Sequence, residues 1–170
     1  LDISPERWLS DFENDAKAEV RDVLFKKCAI NNASAVVFRN HQRIFRYLDE
    51  LDGMFYAGDW LFWIQYLLES DRMCYSIKTT NYFRTHPGVT RLKTPERRNS
   101  EILHIFKFIV RQTLSKGKRN DLAQYFFDTH IYKGTNRELG RNIVLAFRMC
   151  LSSLRFVGPW FRYYFTRAPK

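Results

Sequence analysis

Apolar positions in the first half of the chain change period several times, and each change marks an element. Across residues 41–52, Ile44, Phe45, Leu48 and Leu51 recur at helical spacing, and Gly53 follows where a left-handed residue ends a helix. Across residues 59–69 the stripe is denser. Trp60, Leu61, Trp63, Ile64, Leu67 and Leu68 make a wide apolar face that leaves Gln65 and Glu69 outside it, and Asp59 stands at the N-terminus of the expected helix. Residues 33–39, Ala-Ser-Ala-Val-Val-Phe-Arg, are a compact β-favouring run between Asn31-Asn32 and Asn40, and they are predicted to be the first strand. Residues 73–77 and 81–85 are two further short β-favouring segments. They are separated by Lys78-Thr79-Thr80 and closed by His86-Pro87-Gly88, so they are predicted to pair or to form a strand and its return. Upstream, Ser4-Pro5-Glu6 supplies a capping residue and a proline suited to the first helical position, predicting helix through about Leu24 with at most one break.

After Thr94-Pro95-Glu96 the pattern turns helical throughout. Helices are expected over residues 101–114, 121–132 and 138–156, punctuated by Lys116-Gly117-Lys118 and Lys133-Gly134. No internal repeat or low-complexity tract interrupts the chain, so the boundary falls near residues 91–96. This gives a mixed α/β segment, residues 1–94, followed by a helical C-terminal extension, residues 95–170.

Composition narrows the class. The 170 residues suffice for one domain with a core, or a small domain with an extension, and 45% hydrophobic with 27% charged residues is far from a disordered composition. A net charge of +10 favours anionic partners without choosing among nucleic acid, sugar diphosphate and acidic lipid. Cys28, Cys74 and Cys150 lie far apart with no CxxC pair, which reads as thiols in a reducing compartment. No apolar run reaches the roughly 18 residues of a membrane span, and the first residues do not form a signal peptide. A cytoplasmic protein, soluble or peripheral at the inner membrane face, is expected.

The chemistry-bearing residues come in three segments in a fixed order. First is Asn32-Ala33-Ser34-Ala35-Val36-Val37-Phe38-Arg39, then Gly58-Asp59-Trp60-Leu61 opening the apolar helix, then Asn81-Tyr82-Phe83-Arg84-Thr85-His86-Pro87-Gly88-Val89-Thr90. This order resembles the second half of family-two glycosyltransferases, where a small-residue strand precedes an acidic motif at a helix start and a Tyr-x-Arg-x-His-type segment follows. The resemblance covers roughly the first half of the chain. It implies part of a GT-A-type mixed sheet, a nucleotide-sugar donor, and inverting transfer to an acceptor hydroxyl on a glycan or lipid-linked acceptor in cell-surface glycan synthesis. The family's acidic motif is commonly Glu-Asp or Asp-Asp with the second acid as base; here Gly58 replaces the first acid and Asp59 keeps the second.

A single displacement requires one carboxylate within hydrogen-bond reach of the attacking hydroxyl, and the positive end of a helix keeps such a carboxylate ionised. Asp59 is therefore the expected base, its alternative being an ordinary N-cap. The resemblance gives His86 to the donor diphosphate or a divalent metal, manganese or magnesium, and Arg84 to phosphate; the alternative is that both sit in a polar turn before Pro87. Trp60 either lines the acceptor site or joins Trp63 in the core. The family's nucleotide loop and Asp-x-Asp metal motif lie upstream of the segment matched here and are missing from this sequence. Together with Leu1 in place of Met, that leads to the expectation of a piece of a longer chain, lacking the donor site and unable to turn over alone.

Two rival readings remain. A nucleic-acid-binding module fits the charge, but the basic residues are spread along the chain and no helix-turn-helix, zinc or RNA-recognition signature is present. A helical interaction module fits residues 95–170, which could brace the first half or join two copies of the chain. His104 and His130 lack a partner at helical ligand spacing and read as surface or edge residues. Trp160, Phe161, Tyr163, Tyr164 and Phe165, flanked by Arg155, Arg162, Arg167 and Lys170, could meet an anionic membrane surface, or could pack into a bundle or a second chain.

Overall fold

The computed structural model of the protein describes residues 5–30, 32–40, 44–80, 82 and 95–112. The chain divides into two compact units, Leu1–Glu101 and Ile102–Lys170. Helices expected over residues 121–132 and 138–156, and the aromatic stretch after them, lie outside the described residues.

The first unit is a small α/β assembly. A 3-10 turn, Pro5–Leu9, leads into strand β1, Phe12–Asp15, and then into helix α1, Ala16–Glu19, which widens into a π-helical segment, Val20–Leu24. A second 3-10 turn, Ala33–Ala35, precedes helix α2, Ile44–Leu51, and helix α3, Gly58–Leu68. Strand β2, Arg72–Tyr75, follows, and helix α4, Pro95–Arg111, begins in this unit.

β1 and β2 form a two-stranded antiparallel sheet with Phe12 opposite Tyr75 and Asp15 opposite Arg72. Alternation puts Phe12, Asn14, Met73 and Tyr75 on the more protected face and Glu13, Asp15, Arg72 and Cys74 in solvent. Phe12 stacks on Tyr75 at 5.3 Å between ring centroids, Trp8 meets the same tyrosine edge-on at 5.0 Å, and the Arg7 guanidinium lies 4.3 Å over the Phe12 ring. On the solvent face Arg72 pairs diagonally with Glu13. Asp15 ends the strand and caps α1, its carboxylate accepting the Ala18 N–H at 2.7 Å.

Thus the first predicted helix is a turn, a strand and a short helix. Residues 12–15 have weak strand preference by themselves, and pairing with β2 overrides it. The second correction concerns residues 33–39. Asn32 accepts both the Ser34 N–H at 3.1 Å and the Ser34 hydroxyl at 2.8 Å, which folds the start of this run into a 3-10 turn. Val36 to Asn40 then run on without a ladder. Phe38 still contributes packing, placing its ring 5.5 Å from both Trp63 and Tyr66, and Tyr66 donates to the Arg39 carbonyl. β2 pairs with β1, and the segment expected to pair with or return from it, residues 81–85, lies mostly outside the described residues.

α3 is the central element. Trp60, Leu61, Trp63, Ile64, Tyr66 and Leu67 are all buried, and Leu61 and Ile64 are fully enclosed together with Ala16, Val20 and Leu24 of the α1 segment. α2 packs along another side of α3. This explains why Gln65, expected outside the apolar face, is buried and donates to Glu50 of α2, whereas Glu69 is exposed. Gly53, with φ of 76°, ends α2 in the left-handed conformation its position predicts. Beneath the N-terminal turn, Glu19 is 1% exposed and holds Arg7 and the Asn14 amide.

α4 starts at Pro95, six residues before the expected start at 101. Pro at a helix start is favourable because its missing N–H would be an orphan there. In the second unit the described part of the helix buries Ile102, Leu103, Ile105, Phe106 and Ile109 and exposes His104, Lys107 and Arg111. Among the described residues no helix is long and apolar enough to cross a membrane.

Candidate functional site

Asp59 lies in the first turn of α3. The helix begins with Ala57 as its N-cap, and Ala57 offers no side-chain oxygen to the free amides of the first turn. Asp59, two residues further on, is therefore not the cap. It is exposed, and its Oδ1 accepts the Trp60 N–H at 2.8 Å. Gly58 precedes it where space is short, since a Cβ there would lie 3.3 Å from the Met54 Cβ. The glycine that replaces the expected first acid is thus fitted to the tight approach of the start of α3 to Met54 in the connection after α2.

Glu101 of α4 reaches back to the segment that leads into α3. Its Oε1 accepts the Phe55 N–H at 2.8 Å, and its Oε2 accepts the N–H groups of Tyr56 at 2.7 Å and Ala57 at 2.9 Å. The glutamate is 6% exposed, so these charge-assisted bonds are sheltered from water. Arg97, one turn earlier on α4, stands 3.5 Å from Glu101 Oε1, donates to the Gly53 carbonyl at 2.7 Å, and lies 5.2 Å over the Phe55 ring. The whole connection from Gly53 to Ala57 is held by two side chains from a helix some 45 positions along the chain.

Trp60 belongs to the core. It is 6% exposed, and its indole N–H donates to the Leu24 carbonyl at 2.7 Å, tying α3 to the end of the α1 segment. Of the two roles the sequence leaves open for this ring, the position selects packing, and Trp63 is likewise 3% exposed. Arg84 and His86 lie outside the described residues, so the structure brings together Asp59 and Trp60 alone of the expected site residues. Among the described residues no three His, Cys, Asp or Glu side chains gather into a metal-binding group. Cys28 donates its thiol to the Ile30 carbonyl, and Cys74 is exposed on the sheet.

Glu101 and Arg97 are the residues that sequence reasoning passed over. The signal was present in Thr94-Pro95-Glu96, which puts the helix start at Pro95 and makes Arg97 and Glu101 neighbours one turn apart on one face. What they would hold could not be read from that spacing.

Compared with known protein families, curated proteins and solved structures, the chain matches none.

Proposed function

We propose that the chain is the acceptor-side part of an inverting glycosyltransferase, in which Asp59 takes the proton from the attacking acceptor hydroxyl. The observation that carries this reading is that Asp59 is an exposed carboxylate in the first turn of a buried helix whose N-cap position is held by another residue, Ala57. The order of the three sequence segments supplies the reaction class. In that reaction the acceptor oxygen forms a bond to the anomeric carbon while the bond from that carbon to the nucleotide diphosphate breaks, and the hydroxyl proton passes to Asp59.

Trp60 contributes by anchoring α3 rather than by stacking on a sugar. On the same reading Arg84 and His86 attend the donor diphosphate, with a divalent ion when the full catalytic domain is assembled. Among the described residues no ligand set for that ion is gathered. The acceptor would be a glycan or lipid-linked sugar at the cytoplasmic face of the membrane.

The test uses a chain that includes the nucleotide-binding half. Nucleoside diphosphate release is measured over a panel of nucleotide sugars with a membrane lipid extract as acceptor. Asp59→Asn should lower turnover by a factor of about 100 or more, the scale of general-base catalysis. Turnover within a few-fold of the parent would remove Asp59 from the reaction.

A further inference from the structure

The carboxylate of Glu101 accepts hydrogen bonds from three consecutive backbone amides, Phe55, Tyr56 and Ala57, at the threshold of α3. A helix leaves its first amides without internal partners, and the cap position here is an alanine with no side-chain acceptor. Glu101 binds the amide of that cap residue and the two amides before it, and so fixes the peptide planes of the segment that leads into α3 and Asp59. Its bonds are made between parts of the chain 44 to 46 residues apart, so the constraint exists only once α4 has docked. Arg97 completes the arrangement by holding the Gly53 carbonyl where α2 ends. Asp59 sits two residues past the last clamped amide, and its own carboxylate takes the next described contact, the Trp60 N–H.

We propose that Glu101 is a positioning residue for Asp59, with Arg97 as its auxiliary, so that the start of α4 is a working part of the acceptor-side site rather than an appended brace. The proposal rests on the reading of Asp59 as the base, but its geometric content can be tested without any substrate. Glu101→Gln keeps the side-chain volume, removes the charge and replaces one acceptor oxygen by a donor that faces backbone N–H groups.

In the intact 170-residue chain, amide hydrogen exchange by NMR should quicken by about tenfold or more at Phe55, Tyr56 and Ala57, with Leu61 to Leu67 changed far less. The Hα–Hβ scalar couplings of Asp59 should move from a single χ1 rotamer toward averaged values. A role confined to stability would lower the midpoint of unfolding and leave those couplings unmoved, and that outcome overturns the proposal. So does unchanged exchange at the three amides. Should Glu101→Gln fail to fold, Arg97→Ala decides. Arg97 is 51% exposed, and its loss should speed exchange at Phe55 by about threefold and shift the Asp59 couplings in the same sense. Parent values for both in Arg97→Ala would equally overturn it. An active Asp59→Asn enzyme would sink the base and leave the NMR result standing, whereas unmoved Asp59 couplings sink the positioning role whatever the turnover.

Discussion

Replacing Trp60 by Phe separates a core tryptophan from one kept for binding sugar. The indole N–H donates to the Leu24 carbonyl at 2.7 Å in a buried setting, and Leu24 ends the π-helical segment Val20–Leu24, where carbonyls lack intrahelical partners. Phe takes that donor away from a carbonyl that water reaches poorly, a loss of about 1–3 kcal/mol. The smaller ring also leaves unfilled volume between α3 and the α1 segment, adding about 1 kcal/mol on the scale of large-to-small core changes. Together these give a destabilisation of about 2–4 kcal/mol, and Trp60→Ala should exceed it. The assay is urea unfolding combined with amide exchange at α3, because exchange reports the first unit directly and does not require both units to melt together. A loss below about 0.5 kcal/mol for Trp60→Phe, typical of a surface substitution, would refute the assignment of this ring to the core.

Gly53→Ala should cost about 1–2 kcal/mol even though the added Cβ meets nothing within 4 Å, because φ of 76° is a left-handed conformation; Gly53→Asn should cost less, and equal stability of all three chains in urea would contradict this. Arg7→Met should cost about 3 kcal/mol by leaving the Glu19 carboxylate buried with the Asn14 amide as its remaining donor among the described residues, and Glu19→Gln added to it should restore most of the loss, so a double-mutant cycle without such recovery would show that the pair is not coupled.

How much was legible followed how each element is stabilised. α3 was read almost to the residue, Gly58–Leu68 against an expected 59–69, because a helix buried on most sides must be apolar on most sides, and its sequence says so without reference to anything else. α2 was read from helical spacing alone, although Leu48 of its expected apolar face is exposed, and the Gly53 stop from the left-handed residue that ends it. The sheet was not. Phe12-Glu13-Asn14-Asp15 carries one apolar residue, and only the partner strand, some sixty positions away, turns it into β structure. Residues 33–39 show the converse, strand-favouring side chains used for packing without a ladder, since Phe38 finds aromatic neighbours while Asn32 bends the backbone into a turn. Gln65 escaped for a related reason: polarity marks a solvent face only until another helix covers it, and α2 does. At the site, the position of Asp59 in its helix was local and therefore readable. The clamp from Glu101 was long-range and therefore hidden, although the proline that starts α4 pointed to the correct helix start.

The two acids near the start of α3 have opposite surroundings, and the contrast bears on which could move a proton. Glu101 is buried, accepts three amide N–H groups and lies beside a guanidinium, so its oxygens are already engaged. Asp59 is exposed, and among the described residues it accepts a single backbone N–H. Carboxylate oxygens accept several hydrogen bonds each, so Asp59 retains capacity toward an incoming hydroxyl. Glu101 holds the amides that precede the helix, while Asp59 stands at the positive end of the helix with its Oδ1 on the first-turn Trp60 N–H. The division of labour also fixes where loss of function should arise without contact with substrate. A change at Phe55, Tyr56 or Ala57 that keeps the backbone amide leaves the clamp intact, whereas proline at Tyr56 removes one of the three donors and should disturb Asp59 as Glu101→Gln does.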